Sequence, residues 1–281
     1  MCQSEMRQSE KCRPATCQFA NDPDGRRPMI DKTVASFDEA IADITDGAAI
    51  HLGGFASPFN IPSYLVAALA RNGARNLTIT TTAAGTGPEN AEVLARGLAD
   101  VVTWPRDYWE PGLLSQRGQV RKLITSFPVG TGKVVWPFEE RLNAGEAEVE
   151  VTGQGSLAER LRAARAGIAA FYTPVGPGTV VAEGKEIRDF NGVPHVLEHA
   201  LHADFALIRA WKADRYGNLV FRGPKTFNET MAGAARVTVA EVDEIVPLGD
   251  LAPDAIHTPG VYVQRVVVRP STPPASWQEP C

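Results

Sequence analysis

Between residues 31 and 270 the rhythm of apolar and polar positions changes repeatedly. Short runs dominated by apolar and β-branched residues at 48–52, 77–81, 123–127 and 148–152 predict strands of a sheet. Between such runs, longer stretches repeat apolar residues three and four apart, the spacing of an amphipathic helix. Ser36 and Glu39 form a capping box that opens a helix of about two turns. Asn60 is placed to cap a second helix, with Pro62 in its first turn and Gly73 at its end. Ser156 and Glu159 form another capping box, with Leu157, Leu161 and Ala164 following at helical spacing. Alternating strands and helices predict an α/β fold, an open and mostly parallel sheet with helices on both faces. Further on, hairpins are added: Asn191-Gly192 joins two short runs, and a turn over 214–218 precedes a run at 219–221.

The chain has 281 residues, and the patterning divides it into one domain over 31–270, a disordered N-terminal extension over 1–30 and a tail over 271–281. Met29 opens the patterned region and is a candidate natural start. A content of 44% hydrophobic and 22% charged residues excludes a wholly disordered chain. No apolar run is long enough to span a membrane, so no membrane partner is expected. With 28 basic and 33 acidic residues and no basic block, a nucleic-acid partner is not expected either. Cys2, Cys12, Cys17 and Cys281 all lie outside 30–270, and the opening lacks the apolar run of a signal peptide, which together point to a reducing cytoplasm. Cys12 and Cys17 are loosely spaced with no histidine nearby, and no metal site is expected there.

Ligands of open α/β sheets bind at the carboxyl ends of strands, where loops lead into helix N-termini. Two loops fit that grammar. In GGFASPFNIP, Gly53 and Gly54 allow close backbone approach, and the helix after Pro62 is expected to aim unsatisfied amides at a ligand. In TGQGSLAER, Gln154 stands between two glycines at a strand end, where its amide can donate to an oxygen without adding charge.

Five segments occur in a fixed order: DGAAIHLGGFASPFNIP, NLTITTTAAG, AGEAEVEVTGQGSLAERLRAARAGIAAFYTPVGPGTVVAEGK, ADFALIRAWKADRYGNLVFRGPKTFN and VAEVDEIVPLGDLAPDAIHTPGVYVQRVV. Over most of its body the chain therefore resembles the A (alpha) subunit of family I CoA-transferases, the group with succinyl-CoA:3-oxoacid and acetoacetate CoA-transferases. The resemblance implies the CoA-transferase fold and transfer of CoA from an acyl-CoA to a carboxylic acid through a glutamyl-CoA thioester. The glutamate implied is on a B subunit, in a Ser-Glu-Asn-Gly-like turn that this chain lacks. Glu183 is the nearest imitation, but it aligns with an A-subunit segment. A B-subunit partner, a heterotetramer and no resident cofactor follow, the CoA ester being substrate. By the same resemblance Gln154 lines the oxyanion hole, and Gly53, Gly54, Phe55 and Asn60 shape the substrate and CoA site at the subunit junction.

The chain also departs from the family pattern. Four residues follow Phe55 where the family has three, Asn60 replaces a glycine, and Thr82 and Ala83 stand where the family has Asn-Asn. Extra residues between Gly85 and Leu123, including Trp104, Tyr108 and Trp109, either line a bulky acyl pocket or pack the inserted segment. These departures leave open an acyl-CoA or ring-opening hydrolase on the same two-subunit frame, and a non-catalytic ligand-binding domain. Retained Gln154 argues against the latter. His195, Glu198 and His199 match the H-x-x-E-H zinc pattern, which needs a helix, whereas Asn191-Gly192 and Pro194 put them on a strand with Glu198 facing away. His51 and His202 read as core or strand-end histidines, and Lys185, Lys212 and Arg222 as structural charges rather than CoA ligands.

Overall fold

The computed structural model describes residues 30–55, 60–97, 104–105, 110–130 and 134–270. The four cysteines, Met29 and both predicted terminal extensions lie outside the described residues, apart from Ile30. The first half of the chain contributes strands β1 (Ala49–Leu52), β2 (Leu77–Thr80), β3 (Val120–Thr125) and β4 (Glu148–Val151). A detour follows through β5 (Ala170–Thr173), β6 (Ile187–Phe190) and β7 (Val193–His199). The chain then returns as β8 (Ala203–Asp214), β9 (Leu219–Val220), β10 (Ala235–Val246) and β11 (Arg265–Val268). The main sheet has the order β11-β10-β8-β1-β2-β3-β4 with every neighbour parallel, and β9 folds back antiparallel on β8. Strand order thus reverses at β1: the chain builds outward to β4 on one side and comes back on the other as β8. β5, β7 and β6 make a separate antiparallel sheet.

Seven helices are described: α1 (Phe37–Ala40), α2 (Ser63–Asn72), α3 (Pro88–Gly97), α4 (Gly112–Gln116), α5 (Pro137–Asn143), α6 (Gln154–Ala166) and α7 (Asn228–Met231). Successive strand residues point to opposite faces, so two cores form. Leu65 and Leu69 of α2, Leu114 of α4 and Phe138 of α5 pack with Ile50, Leu52, Ile79 and Leu123. Leu157 and Leu161 of α6 and Met231 of α7 pack with Ile124, Ile208 and Ala240 on the other side.

The predicted strands are present with ends shifted by up to three residues, and both hairpins form. Asn191 and Gly192 take φ values of 56° and 80°, the left-handed pair that a two-residue hairpin demands. In the second hairpin, Asp214 Oδ1 accepts from the amides of Tyr216 and Asn218.

The predicted helix starts need three corrections. Ser36 does cap α1, accepting the Glu39 amide at 3.1 Å, but the helix is a single turn because Ile41 leaves helical geometry. α2 begins at Ser63 with Pro62 at the N-cap, so Asn60 does not cap it. Its first amides are satisfied from across the sheet: Glu241 of β10, fully buried, accepts from Tyr64 N–H and Leu65 N–H, both at 3.0 Å. A carboxylate held against the positive end of a helix makes a stronger bond than a carboxamide there. The third correction concerns α6, which starts at Gln154 with Gly153 at the N-cap. Ser156 is buried within the first turn, so the Ser156–Glu159 pair is helix interior, and Glu159 instead pairs with Arg162.

Among the described residues β4 ends the main sheet and carries two glutamates: Glu148 lies 3.6 Å from Arg121, and Glu150 lies 2.6 Å from Lys122 and 2.8 Å from Arg160 of α6.

The Glu241 carboxylate is neutralised by Arg269, itself buried. Removing one partner of such a pair strands the other charge. Arg269→Met is expected to lower unfolding free energy by about 3–5 kcal/mol in urea titration. Adding Glu241→Gln to that variant should recover part of the loss, because the buried group is then neutral.

Candidate active site

In a sheet of this kind the crevice lies outside the carboxyl ends of the strands at the point where their order reverses, here between β1 and β8. Gly53, the residue after β1, donates its amide to Leu207 O of β8 at 2.9 Å. A Cβ on Gly53 would fall 1.9 Å from Asn228 Oδ1. Gly54 has φ +106°, and its Cβ would lie 2.7 Å from Ile61. Both positions therefore require glycine. The Gly54 carbonyl is held by Thr82 Oγ1 at 3.1 Å. Thr82 is fully buried, and its own carbonyl accepts from Ser126 N–H, Phe127 N–H and Thr125 Oγ1.

Pairing of His51 with Thr80, Thr80 with Ile124 and Ile124 with Glu150 sets the register across β1 to β4. Two residues further along, Gly53, Thr82, Ser126 and Thr152 form one row on the α6 side of the sheet. Gln154 follows at the far end of that row. Its side chain is half-buried and makes no hydrogen bond among the described residues, and no side chain caps the helix it begins. The expected roles of the two helix ends are thus exchanged. The α2 amides are occupied by Glu241, whereas the α6 end lies open beside Gln154.

The structure brings Gly53, Gly54, Phe55 and Asn60 together but leaves Gln154 three strands away, roughly 14 Å at ordinary strand spacing. Phe55 stacks on Phe127 at 6.1 Å and meets Phe227 edge-on at 6.3 Å, forming an aromatic shelf over the β1 end. Asn60 is buried, and it contributes its backbone: the carbonyl accepts from Asn228 Nδ2 at 3.0 Å. Residues 56–59, Tyr108 and Trp109 lie outside the described residues. Trp104 is buried, as expected if it packs the inserted segment. Asn228, fully buried at the crevice, is not marked out by the sequence, where it is one asparagine in TFNE with no motif spacing around it.

The remaining candidates sit elsewhere. His195 and His199 share one face of β7 while Glu198 faces the other way, buried against Lys185 at 2.6 Å and Arg160 at 3.7 Å. Among the described residues no group of three or more His, Cys, Asp or Glu is placed to hold a metal. Lys212 pairs with Glu244 at 2.7 Å, while Arg222 and Glu183 are exposed. His51 is fully buried and its Nε2 donates to Leu201 O at 3.2 Å. Burial pushes its pKa down to about 4. Burial also draws Arg209 down to about 10, with Arg269 adding to the effect and Glu241 and Asp243 opposing it.

The family model described as Coenzyme A transferase matches residues 34–269. The chain belongs to that family. It is 46% identical over 240 residues to the A subunit of 3-oxoadipate CoA-transferase from Pseudomonas putida, covering 85% of this chain and 94% of that protein. It is 41% identical over 238 residues to the A subunit of succinyl-CoA:3-ketoacid coenzyme A transferase from Helicobacter pylori strain J99, covering 84% and 92%. Among solved structures, glutaconate coenzyme A-transferase from Acidaminococcus fermentans superposes with a TM-score of 0.68 at 22% identity, over 85% of this chain and 76% of that one, and shares the fold. As the A subunit of a CoA-transferase, the chain is of a kind named for one half of a two-subunit enzyme. No described helix is long and apolar enough to cross a membrane.

In this CoA-transferase chain burial holds His51 in its neutral form. The unfolded chain binds its proton near pH 6.5 and the folded chain only near 4. Stability carried by neutral His51 is therefore full above pH 6.5 and is lost as pH falls toward 4, by up to about 3 kcal/mol. Denaturation midpoints measured across that window should flatten in His51→Gln relative to wild type.

Proposed function

We propose that this chain is the A subunit of a heterotetrameric enzyme, two A with two B, that moves CoA from an acyl-CoA to a 3-oxo acid in the cytoplasm. Relatives named for 3-oxoadipate and for succinyl-CoA:3-ketoacid transfer support that substrate class. The observation that carries the reading is the Gln154 amide at the start of α6, without a hydrogen bond among the described residues and at the far end of a row lined by backbone and hydroxyls. Such a wall donates hydrogen bonds without supplying a nucleophile. Carboxylates flanking it are already engaged: Glu241 by two amides and Arg269, Glu150 by Lys122 and Arg160, Glu229 by Lys225 at 3.0 Å.

In this mechanism a glutamate of the partner attacks the thioester carbonyl, and the C–S bond breaks to give a mixed anhydride and CoA thiolate. The thiolate attacks the glutamyl carbonyl, releasing the first acid and leaving glutamyl-CoA. The acceptor carboxylate repeats the two steps in reverse, so no net proton or electron is consumed. Each step passes through a tetrahedral oxyanion, to which Gln154 donates. The CoA ester is substrate, and the chemistry calls for no resident cofactor.

Loss of one oxyanion donor typically costs about a hundred- to a thousandfold in rate. Gln154→Ala in the reconstituted complex should lower kcat by that order with KM and melting temperature nearly unchanged, and Gln154→Glu should do no better. Near-normal kcat in Gln154→Ala would remove the oxyanion assignment.

The covalent intermediate is expected on the partner. The chain alone should be inactive, and borohydride reduction after incubation of the complex with acyl-CoA should modify only the B subunit by peptide mass mapping. A modified carboxylate in this chain, Glu183 included, would misplace the nucleophile.

A further inference from the structure

We propose that Asn228 is a positioning residue of the transfer site, its buried carboxamide fixing the Gly53–Gly54 turn against β8 and against the backbone at residue 60. The proposal rests on the reading of this mouth as the transferase site. Asn228 is wholly buried as the first residue of α7 and ties its own loop to β8 and to the loop that follows β1. Its Oδ1 accepts from Arg209 N–H of β8 at 3.0 Å and occupies the space a Cβ on Gly53 would need. Its Nδ2 donates to Asn60 O, at the entry to α2, at 3.0 Å, and to Thr226 Oγ1 at 3.3 Å.

The attachments lie at the point where strand order reverses, between the loop that leaves β1 and the middle of β8, which runs on to Asp214. Only a group with an acceptor at one end and a two-proton donor at the other satisfies them, which is a carboxamide. A second, independent observation marks the same place. Thr226 has φ +50°, a conformation that a β-branched residue rarely adopts. Unusual backbone of this kind persists only where surrounding contacts over-determine it, and it clusters at functional sites. Phe227, between Thr226 and Asn228, meets Phe55 of the aromatic shelf. Asn228 therefore couples the shelf, the glycine turn and the strained threonine into one unit without itself facing solvent.

The test uses the reconstituted two-subunit complex. Asn228→Asp keeps the size and the acceptor but places an oxygen where Nδ2 donates to the Asn60 carbonyl. The buried carboxylate also lowers the melting temperature, so the variant is assayed well below it, where it is expected to lower kcat about ten- to a hundredfold with KM for acyl-CoA within about threefold of wild type. A merely structural asparagine gives the opposite pattern, activity lost only in step with melting temperature, and that result overturns the proposal. Geometry supplies a second arm. Gly53→Ala clashes with Asn228 Oδ1, so Gly53→Ala should be severely impaired alone, while the Gly53→Ala/Asn228→Ser pair should regain at least about tenfold over it. Strictly additive losses in that cycle would also overturn the proposal. A wild-type complex that transfers no CoA would refute the reading of the mouth itself. Normal kcat in Asn228→Asp beside an active wild type refutes only the role of Asn228.

Discussion

The reversal of strand order at β1 is the constraint on which the site depends. Four residues, Ala49–Leu52, are bound on both edges by parallel strands, β2 and β8, and covered on both faces by helices. The next residue must leave the sheet within one peptide, because β8 continues beyond that level while β1 stops. Gly53 makes that exit while still bonded to Leu207. β8 lies on one side of that exit and the ends of β2, β3 and β4 on the other.

Electrostatics distinguish the first turns of α2 and α6. Glu241 consumes the first amides of α2 and is itself balanced by Arg269, so the positive end of that helix is neutralised inside the protein. The end of α6 has no such partner among the described residues. Negative charge that develops only transiently is best met by dipoles that are fixed beforehand and carry no net charge. A glutamine carries such a dipole, whereas a lysine would add a charge that also holds an anionic ground state.

How much of this is legible in the sequence depends on how local each feature is. Strand and helix order follow from periodicity, and the Asn191-Gly192 hairpin from two residues whose left-handed preference is intrinsic. Gly53 and Gly54 are visible as glycines, but the reason for them, the Asn228 carboxamide and the Ile61 side chain, is not. The N-terminus of α2 reads as free in the sequence because its cap, Glu241, comes from a strand far along the chain. Ser156 and Glu159 have capping-box spacing, yet Gly153 starts the helix three residues earlier and the serine is buried. Local chemistry is readable, and pairings set by the sheet are not. The distance between Gln154 and the glycine turn belongs to the second kind, since it requires knowing that β2 and β3 lie between them.

Among the described residues β4 is paired on one side only, and that edge has a consequence of a different sort. A parallel sheet ending in an unpaired strand is a template on which a further strand can add, and such addition leads to aggregation. Glu148 and Glu150 occupy alternate positions of β4, with Glu150 turned inward and clamped by Lys122 and Arg160. A strand arriving from another molecule would have to be accommodated beside these carboxylates and would disturb the ion pairs that hold them. The edge thereby discourages accretion of further strands.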